Sequence, residues 1–333
     1  MRTVPRLLTL PAVLPAALVL TLGLTACSST TSQSAAGRAP APAGTTTASV
    51  SVQNCGRTVT LPHPAERVVS GWVTSTELLL QLGDSDELVG QYNTSSGTPS
   101  AQYADAFAKV PVLSTEGLTR EQLAAAHPDL VWADGEYAFD GNTLPTIDQL
   151  ADQGTQVLVL SGFCGDDATG AKVSDVFTDL AAIGTLLGRQ TATDELAEQL
   201  HTRLDAVSQR IAGDPAVPVM FLANYDGTLY TYDGVYTDIA ELAGGSNVYA
   251  GQLPKGQYYS EVSREDVIAR DPSTIVLLTG GDGDTVGAKD SLSQLLPGVS
   301  AVRDGKVVTM PESDSTNLRA VDGVEELSEA LHP

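Results

Sequence analysis

The sequence of 333 residues has few basic residues and few histidines, and both shortages exclude classes of function. Its 18 lysines and arginines face 41 aspartates and glutamates, and the net charge of -23 disfavours nucleic acid and anionic lipid surfaces as partners. The four histidines are scattered, at His63, His127, His201 and His332. Proteins that bind bare zinc or manganese ions cluster histidines with carboxylates, so no metal site is expected.

Catalytic motifs are missing as well. The sequence has no G-x-S-x-G turn, no Walker loop and no G-x-G-x-x-G after a strand. Residues 280–284 (Gly-Gly-Asp-Gly-Asp) are similar to a phosphate loop or a calcium site but lack the required ligand spacing. An enzyme or a metal-ion binder is therefore disfavoured, and no cofactor is expected.

The N-terminus has the layout of a secretory signal. Arg2 and Arg6 precede an apolar run at 7–24 that two prolines interrupt, which is typical of a signal peptide rather than of a spanning helix. The run ends in Leu-Thr-Ala-Cys at 24–27, which resembles the bacterial lipobox. That resemblance implies that Cys27 becomes the first mature residue and carries a lipid; an ordinary secretory signal is the alternative.

The predicted signal peptide (1–26) is followed by a predicted flexible tether (27–49) rich in serine, threonine, alanine and proline. Such a segment buries too little apolar surface to offset the entropy lost on ordering. The folded part then lies outside the cytoplasm, where disulfides persist. We therefore expect its two cysteines, Cys55 and Cys164, to pair.

Alternation of short apolar strands with helical patterns predicts two α/β lobes, each with a mostly parallel sheet, at 50–188 and 213–333. Helical periodicity is nearly continuous from 173 to 211 and is divided at Gly188. Its second part, at 189–212, is a candidate bridge between the lobes, although it could also pack as one more outer helix. In the first lobe, Thr74 and Glu77 predict a capping box for the first helix.

One segment occurs twice. Residues 119–132 and 263–278 each predict a capped helix, a proline that ends it, and an apolar strand. Each copy places a glutamate in the first helical turn, Glu121 or Glu265. A negative charge near the N-terminal end of a helix dipole explains either glutamate alone. The duplication favours a second interpretation, in which the two lobes present paired markers to a two-fold partner.

Five motifs, taken together and in order, carry a resemblance to a known family. They lie at 64–70 (Pro-Ala-Glu-Arg-Val-Val-Ser), 75–79 (Ser-Thr-Glu-Leu-Leu), 127–131 (His-Pro-Asp-Leu-Val), 242–248 (Leu-Ala-Gly-Gly-Ser-Asn-Val) and 262–265 (Val-Ser-Arg-Glu). From about Val52 to Leu331 the chain resembles the substrate-binding lipoproteins of bacterial ABC importers for ferric siderophores, haem and vitamin B12.

This resemblance implies two α/β lobes joined by one long helix, with the ligand in the cleft between them. It also implies a permease dimer with cytoplasmic ATPase subunits as partner, and a monomer held at the membrane only by its lipid. In the vitamin-B12 binders the docking glutamates lie seven residues before the motif proline, which corresponds to Glu121 and Glu265 here.

Ligand residues are predicted from position and chemistry. Trp72, Tyr92, Glu136 and Tyr137 follow predicted strands, where open α/β sheets place ligands. Seven tyrosines lie between 225 and 259, and a tyrosine ring with its hydroxyl suits a large amphipathic ligand.

We expect about half of these tyrosines to fill the second core, and predict the following for the cleft: Tyr225, Tyr232, Tyr236 and Tyr259. The resemblance implies that Arg319 faces the cleft; a surface arginine at a helix end is the alternative. Because few basic residues occupy predicted cleft loops, we expect a neutral or weakly charged metal chelate such as a hydroxamate siderophore, with a corrinoid or haem as alternatives.

Overall fold

The structure, a computed structural model, describes residues 48–165, 168–280 and 285–333. The predicted signal peptide, Cys27 and nearly all of the predicted tether lie outside these ranges, as do residues 281–284. Within them the chain forms twelve β-strands and eleven α-helices. No helix in this part of the chain is both long and apolar enough to cross a membrane.

The strands are β1 Val50–Asn54, β2 Arg57–Leu61, β3 Val68–Gly71, β4 Leu88–Tyr92, β5 Leu130–Ala133, β6 Gln156–Val159, β7 Val217–Tyr225, β8 Thr228–Tyr232, β9 Gly245–Asn247, β10 Tyr259–Val262, β11 Thr274–Thr279 and β12 Val307–Pro311. The helices are α1 Val73–Gln81, α2 Ala104–Phe107, α3 Arg120–Ala126, α4 Ile147–Asp152, α5 Asp175–Leu187, α6 Gln190–Arg210, α7 Val235–Leu242, α8 Arg264–Arg270, α9 Thr285–Leu295, α10 Ser300–Arg303 and α11 Arg319–Leu331.

The first lobe is built on a parallel sheet with strand order β4-β3-β5-β6. Side chains alternate between its two faces: Leu130 and Trp132 enter the core shared with the second lobe, whereas Val131 and Ala133 enter a separate outer core. All four are fully buried. Burial on both faces explains the continuous apolar runs that marked these strands in the sequence.

The second lobe has a mixed sheet, with strand order β10-β8-β7-β11-β12 and β9 beside β7. β7, β9, β11 and β12 are parallel, but β8 and β10 run antiparallel to their neighbours. The expectation of two α/β lobes with mostly parallel sheets is confirmed, and the second sheet has an antiparallel edge. The cause is a hairpin at Asp226 and Gly227, which both adopt positive φ and reverse the chain in two residues.

The long helix α6 connects the two lobes. It follows Gly188, whose φ of 66° ends α5, and it packs against α5 on one side and α11 on the other. Arg203 of α6 joins Asp322 and Glu325 of α11 at 2.5 Å each. The bounds of α6, Gln190–Arg210, lie within the segment at 189–212 that the sequence marked as a bridge.

The predicted capping box at Thr74 and Glu77 is wrong. α1 begins at Val73 after Trp72, which has a φ of 79° and provides no side-chain cap. Thr74 Oγ1 instead lies 3.1 Å from Thr316 Oγ1, and the Glu77 carboxylate accepts a hydrogen bond from Ser100 N. Both side chains are buried, so contacts with distant segments replaced the local cap.

The repeated segment has the same structure in both lobes. Thr119 caps α3 and Ser263 caps α8, each accepting a hydrogen bond from the backbone N–H three residues on. The helices end at His127 and Asp271, which adopt left-handed φ values of 46° and 41° before the motif prolines. Only α3 has the full capping box, because Asp266 in α8 instead accepts from Arg270 Nε at 2.9 Å and from the Tyr249 hydroxyl.

Candidate ligand cleft

A cavity of about 710 Å³ lies between the lobes. Its first wall follows three parallel strands: Trp72 after β3, residues 134–137 after β5, and Phe163, Gly165 and Ala168 after β6. The carboxyl ends of parallel strands meet at one edge of a sheet, which is where open α/β folds place ligands. The fold of the first lobe therefore explains how residues far apart in sequence form one wall.

The second wall has a different origin. It consists of residues 256–261, which are the end of a loop and the first part of the edge strand β10. The Tyr258 ring meets Phe163 of the first wall edge-to-face, with 5.9 Å between centroids, and Phe163 meets Trp72 at 6.2 Å. An aromatic series thus crosses from one lobe to the other.

The charged side chains that line the cavity are all acidic: Asp134, Glu136 and Glu261. Asp134 accepts a 2.6 Å hydrogen bond from the Tyr137 hydroxyl, and burial raises the pKa of its carboxyl above the usual range. Glu136 accepts a 2.7 Å hydrogen bond from Gly165 N and lies 3.7 Å from Arg57 Nε. The cleft therefore offers aromatic faces, hydroxyl groups and negative charge.

A disulfide between Cys55 and Cys164 supports the first wall. Cys164 lies between the lining residues Phe163 and Gly165, and Cys55 begins the turn between β1 and β2. The hairpin is also bound to β6, since Asn54 Nδ2 donates to Val159 O at 2.8 Å and Val159 N donates back to Asn54 Oδ1 at 2.9 Å. The hairpin thus fixes the loop that carries Phe163.

Four of the predicted ligand residues line this cavity: Trp72, Glu136, Tyr137 and Tyr259. Tyr137 and Tyr259 are the most accessible, at 68% and 48% exposure. Their role in binding stays a prediction.

The other predicted tyrosines do not line the cavity. Tyr92 is buried below Gly71 in the first lobe, and Tyr232 and Tyr236 are buried in the shared core. Tyr225 is 46% exposed and donates to Glu312, which also accepts from Tyr232 at 3.3 Å. Burial raises the pKa of the Tyr92, Tyr232 and Tyr236 hydroxyls far above the usual value, so these groups stay neutral.

Arg319 does not line the cavity either. It begins α11 and pairs with Asp314 at 2.7 Å and with Glu77 of α1 at 3.7 Å. Its Nη1 also donates to Thr98 O at 3.0 Å. Beside it, Asn317 Nδ2 donates to Thr74 Oγ1 at 3.1 Å. Arg319 is therefore part of a polar contact between the lobes.

Several lining residues were not predicted from the sequence: Asp134, Phe163, Gln257, Tyr258, Ser260 and Glu261. Asp134 and Phe163 follow strands just as Glu136 does, so the same rule would have found them. Tyr258 belongs to the tyrosine-rich stretch noted in the sequence. Gln257, Ser260 and Glu261 had no signal, because β10 is a four-residue edge strand without a clear apolar alternation.

Glu121 and Glu265 are both exposed, on α3 and α8. In the described part of the chain, no group of three or more histidines, cysteines and acids is placed to hold a metal ion. The side chains that the cleft presents are aromatic and polar.

Comparison with known proteins identifies the fold and the family. A family model described as periplasmic binding protein matches residues 68–313. The chain belongs to the periplasmic binding protein family. Proteins of this family bind substrates outside the cytoplasm and work with the permease and ATPase components of ABC transporters.

Individual relatives agree with this assignment. A cobalamin-binding protein of Halobacterium salinarum is 24% identical over 281 residues, which cover 82% of this chain and 71% of the relative. A crystal structure described as an ABC-type Fe3+-hydroxamate transport system from Saccharomonospora viridis has a TM-score of 0.72 and 26% identity, over 85% of this chain and 99% of that chain. A crystal structure of a periplasmic haem-binding protein of Vibrio cholerae has a TM-score of 0.63 and 22% identity, over 80% of this chain and 99% of that chain.

Proposed function

We propose that this binding protein captures an iron–siderophore-type chelate, of the hydroxamate class, and delivers it to an ABC permease. The cleft carries the proposal: its volume of about 710 Å³ suits a large chelate, and its aromatic walls suit the apolar arms of such a ligand. The Saccharomonospora structure, described as a hydroxamate transport system, supports the same ligand class.

Tryptophan fluorescence tests this proposal directly. Trp72 lines the cavity, whereas Trp132 is fully buried in the shared core, and the sequence has no other tryptophan. Titration with a ferric trihydroxamate should quench emission. Trp72→Phe should remove most of the quenching while Trp132→Phe retains it. Absence of binding to every ferric hydroxamate, checked by calorimetry, would remove this ligand class.

A corrinoid is the second candidate ligand. The cobalamin-binding relative from Halobacterium salinarum supports it, because its similarity extends over most of both chains. Titration with cobalamin under the same conditions separates the two candidates, and haemin completes the comparison. Tight binding of cobalamin without binding of ferric hydroxamates would favour this candidate.

Delivery is proposed to depend on Glu121 and Glu265, which lie at matching positions on α3 and α8. The double variant Glu121→Lys with Glu265→Lys should retain ligand affinity and lose uptake in cells. A matched control reverses two exposed acids of α6, Glu195→Lys with Glu198→Lys, which changes the net charge equally. Normal uptake in the first double variant would refute the docking role.

Membrane attachment is proposed to depend on a lipid at Cys27, with residues 27–49 as the tether. Cys27→Ser should prevent lipidation and release the protein from the membrane fraction. Retention of the variant in that fraction would refute the proposed anchor.

A further inference from the structure

One of the carboxylates that line the cleft has neither a hydrogen-bond donor nor a cationic partner in the described chain. Of the three lining carboxylates, Asp134 accepts from Tyr137 and Glu136 is paired with Arg57 and Gly165 N. Glu261 is exposed on β10, and its carboxylate has no hydrogen bond or ion pair within the residues the structure describes. A bound ligand therefore meets a free carboxylate on the second wall.

Tyrosines occupy the same part of the second wall and the neighbouring strand β8. Tyr259, two residues before Glu261, stacks toward Tyr232 at 6.2 Å and meets Tyr258 at 5.2 Å. The faces of tyrosine rings carry partial negative charge and attract cations. Glu312 lies behind the same group of tyrosines, as an acceptor for Tyr225 and Tyr232. The second wall therefore presents the electron-rich faces of its tyrosine rings and the Glu261 carboxylate, and Glu312 adds negative charge outside the cavity.

Arg57, Arg319 and Lys255 lie outside the lining of the cavity. Arg57 is occupied by Glu136, and Arg319 is occupied by Asp314 and Glu77 outside the cavity. Lys255 precedes the lining residue Gly256 but does not itself line the cavity, and its side chain is exposed. No lysine or arginine is among the lining residues of the described chain. An anionic ligand would therefore lose its hydration without gaining a cationic partner.

We infer that the cleft selects a chelate that carries a positively charged group, such as a protonated amine, and that Glu261 is a specificity-determining residue. This inference rests on the proposed function and narrows its ligand from hydroxamates in general to cationic ones. The ammonium group would lie beside Glu261 and the tyrosine faces, while the apolar arms contact Trp72, Phe163 and Tyr258.

A matched pair of ligands tests the inference. Ferrioxamine B is a ferric trihydroxamate with one protonated terminal amine, and its N-acetyl derivative has the same iron centre but no charge on that tail. We expect ferrioxamine B to bind about tenfold more tightly at low ionic strength, the effect of a partly desolvated charge interaction. The preference should decrease as salt is added, because screening weakens the charge interaction.

Two variants test whether Glu261 causes the preference for ferrioxamine B. Glu261→Gln keeps the shape of the side chain and should reduce the preference for the amine to about threefold or less. Glu195→Gln on α6 removes one exposed charge far along the chain and should leave the preference unchanged, which controls for net charge. Thermal unfolding of both variants checks that they are folded.

The outcomes separate this inference from the proposed function. Equal affinities for the two ferrioxamines would overturn the charge selection and leave the hydroxamate proposal standing. A preference that Glu261→Gln does not reduce would overturn the assignment to Glu261. If neither compound binds, the hydroxamate proposal fails and the inference fails with it.

Discussion

The two walls of the cleft are built in different ways. The first consists of loops after three parallel strands, and a disulfide and a hairpin hold one of these loops in place. The second consists of a loop and an edge strand, and no disulfide joins it to the rest of the described chain. The lobes therefore hold their walls differently: the first fixes one of its loops with a disulfide, whereas the second relies on the pairing of β10 with β8.

Removal of the disulfide, which only the first wall has, should cause the largest loss of stability. Cys55→Ser with Cys164→Ser opens a loop with a sequence separation of 109, so we expect a loss of about 4 kcal/mol in the free energy of unfolding. Denaturant unfolding followed by Trp132 fluorescence reports on the first lobe. A loss below about 1 kcal/mol would show that the hairpin contacts suffice without the covalent link.

Loss of the Arg319 contact between the lobes should have the second-largest effect on stability. Arg319→Gln leaves two buried carboxylates, Asp314 and Glu77, without their cationic partner, and should cost about 3 kcal/mol. The control is Arg303→Gln, because Arg303 is exposed and pairs only loosely with Asp304 at 3.6 Å. Equal unfolding midpoints for the two variants would mean that Arg319 contributes no more than a surface arginine.

Each lobe has a buried acid whose pKa makes the stability of the protein depend on pH. Asp179 of the first lobe accepts two hydrogen bonds from Ser161 and has no ion pair in the described chain, and burial raises its pKa to about 7. In the second lobe burial raises the pKa of Asp314 to about 6, which Arg319 partly counteracts. Both folded-state pKa values exceed the unfolded value of 3.8, so the native state binds more protons.

Stability of the wild type should therefore fall as pH rises from about 4 to 7. Asp179→Asn should remove the contribution of this residue, becoming more stable than wild type at pH 8 by on the order of 2 kcal/mol and equal to it near pH 4. Asp205→Asn on the exposed face of α6 is the control. A difference between Asp179→Asn and wild type that does not vary with pH would contradict the assignment.

The helix caps should give the smallest effect. Thr119→Ala removes the full capping box of α3, whereas Ser263→Ala leaves the Asp266 contacts of α8 in place. Each should cost about 1 kcal/mol, with the larger loss in α3. Urea midpoints, compared with Thr202→Ala in mid-helix, measure this difference. A larger loss of stability for Ser263→Ala than for Thr119→Ala would contradict the prediction that the full capping box contributes more.

The sequence predicted three residues of the first wall but only Tyr259 of the second. Strands such as β5 are apolar throughout and are followed by polar or aromatic residues, so Glu136 and Tyr137 could be placed by a general rule. β10 has no comparable pattern, and its position depends on the hairpin at Asp226 and Gly227. That dipeptide is a strong turn signal, and recognising it would have predicted the mixed sheet.

Contacts between distant segments explain why the predicted capping box is wrong and why Arg319 lies outside the cavity. Thr74 and Glu77 have the local pattern of a capping box, yet their partners include Thr316 and Arg319, more than two hundred residues away. Local pattern cannot reveal which of two available partners a polar side chain will reach. Arg319 likewise pairs with the buried acids Asp314 and Glu77 instead of lining the cleft.

The shared core has a consequence for engineering. Leu130 and Trp132 of the first sheet and Phe221 and Val276 of the second belong to one apolar cluster that continues through α5, α6 and α11. Wide separation of the lobes would expose that cluster to water, so a biosensor based on the distance between lobes would give little signal. An environment-sensitive dye at the rim, for example at Tyr137, is the better reporter, since it would sense the ligand itself.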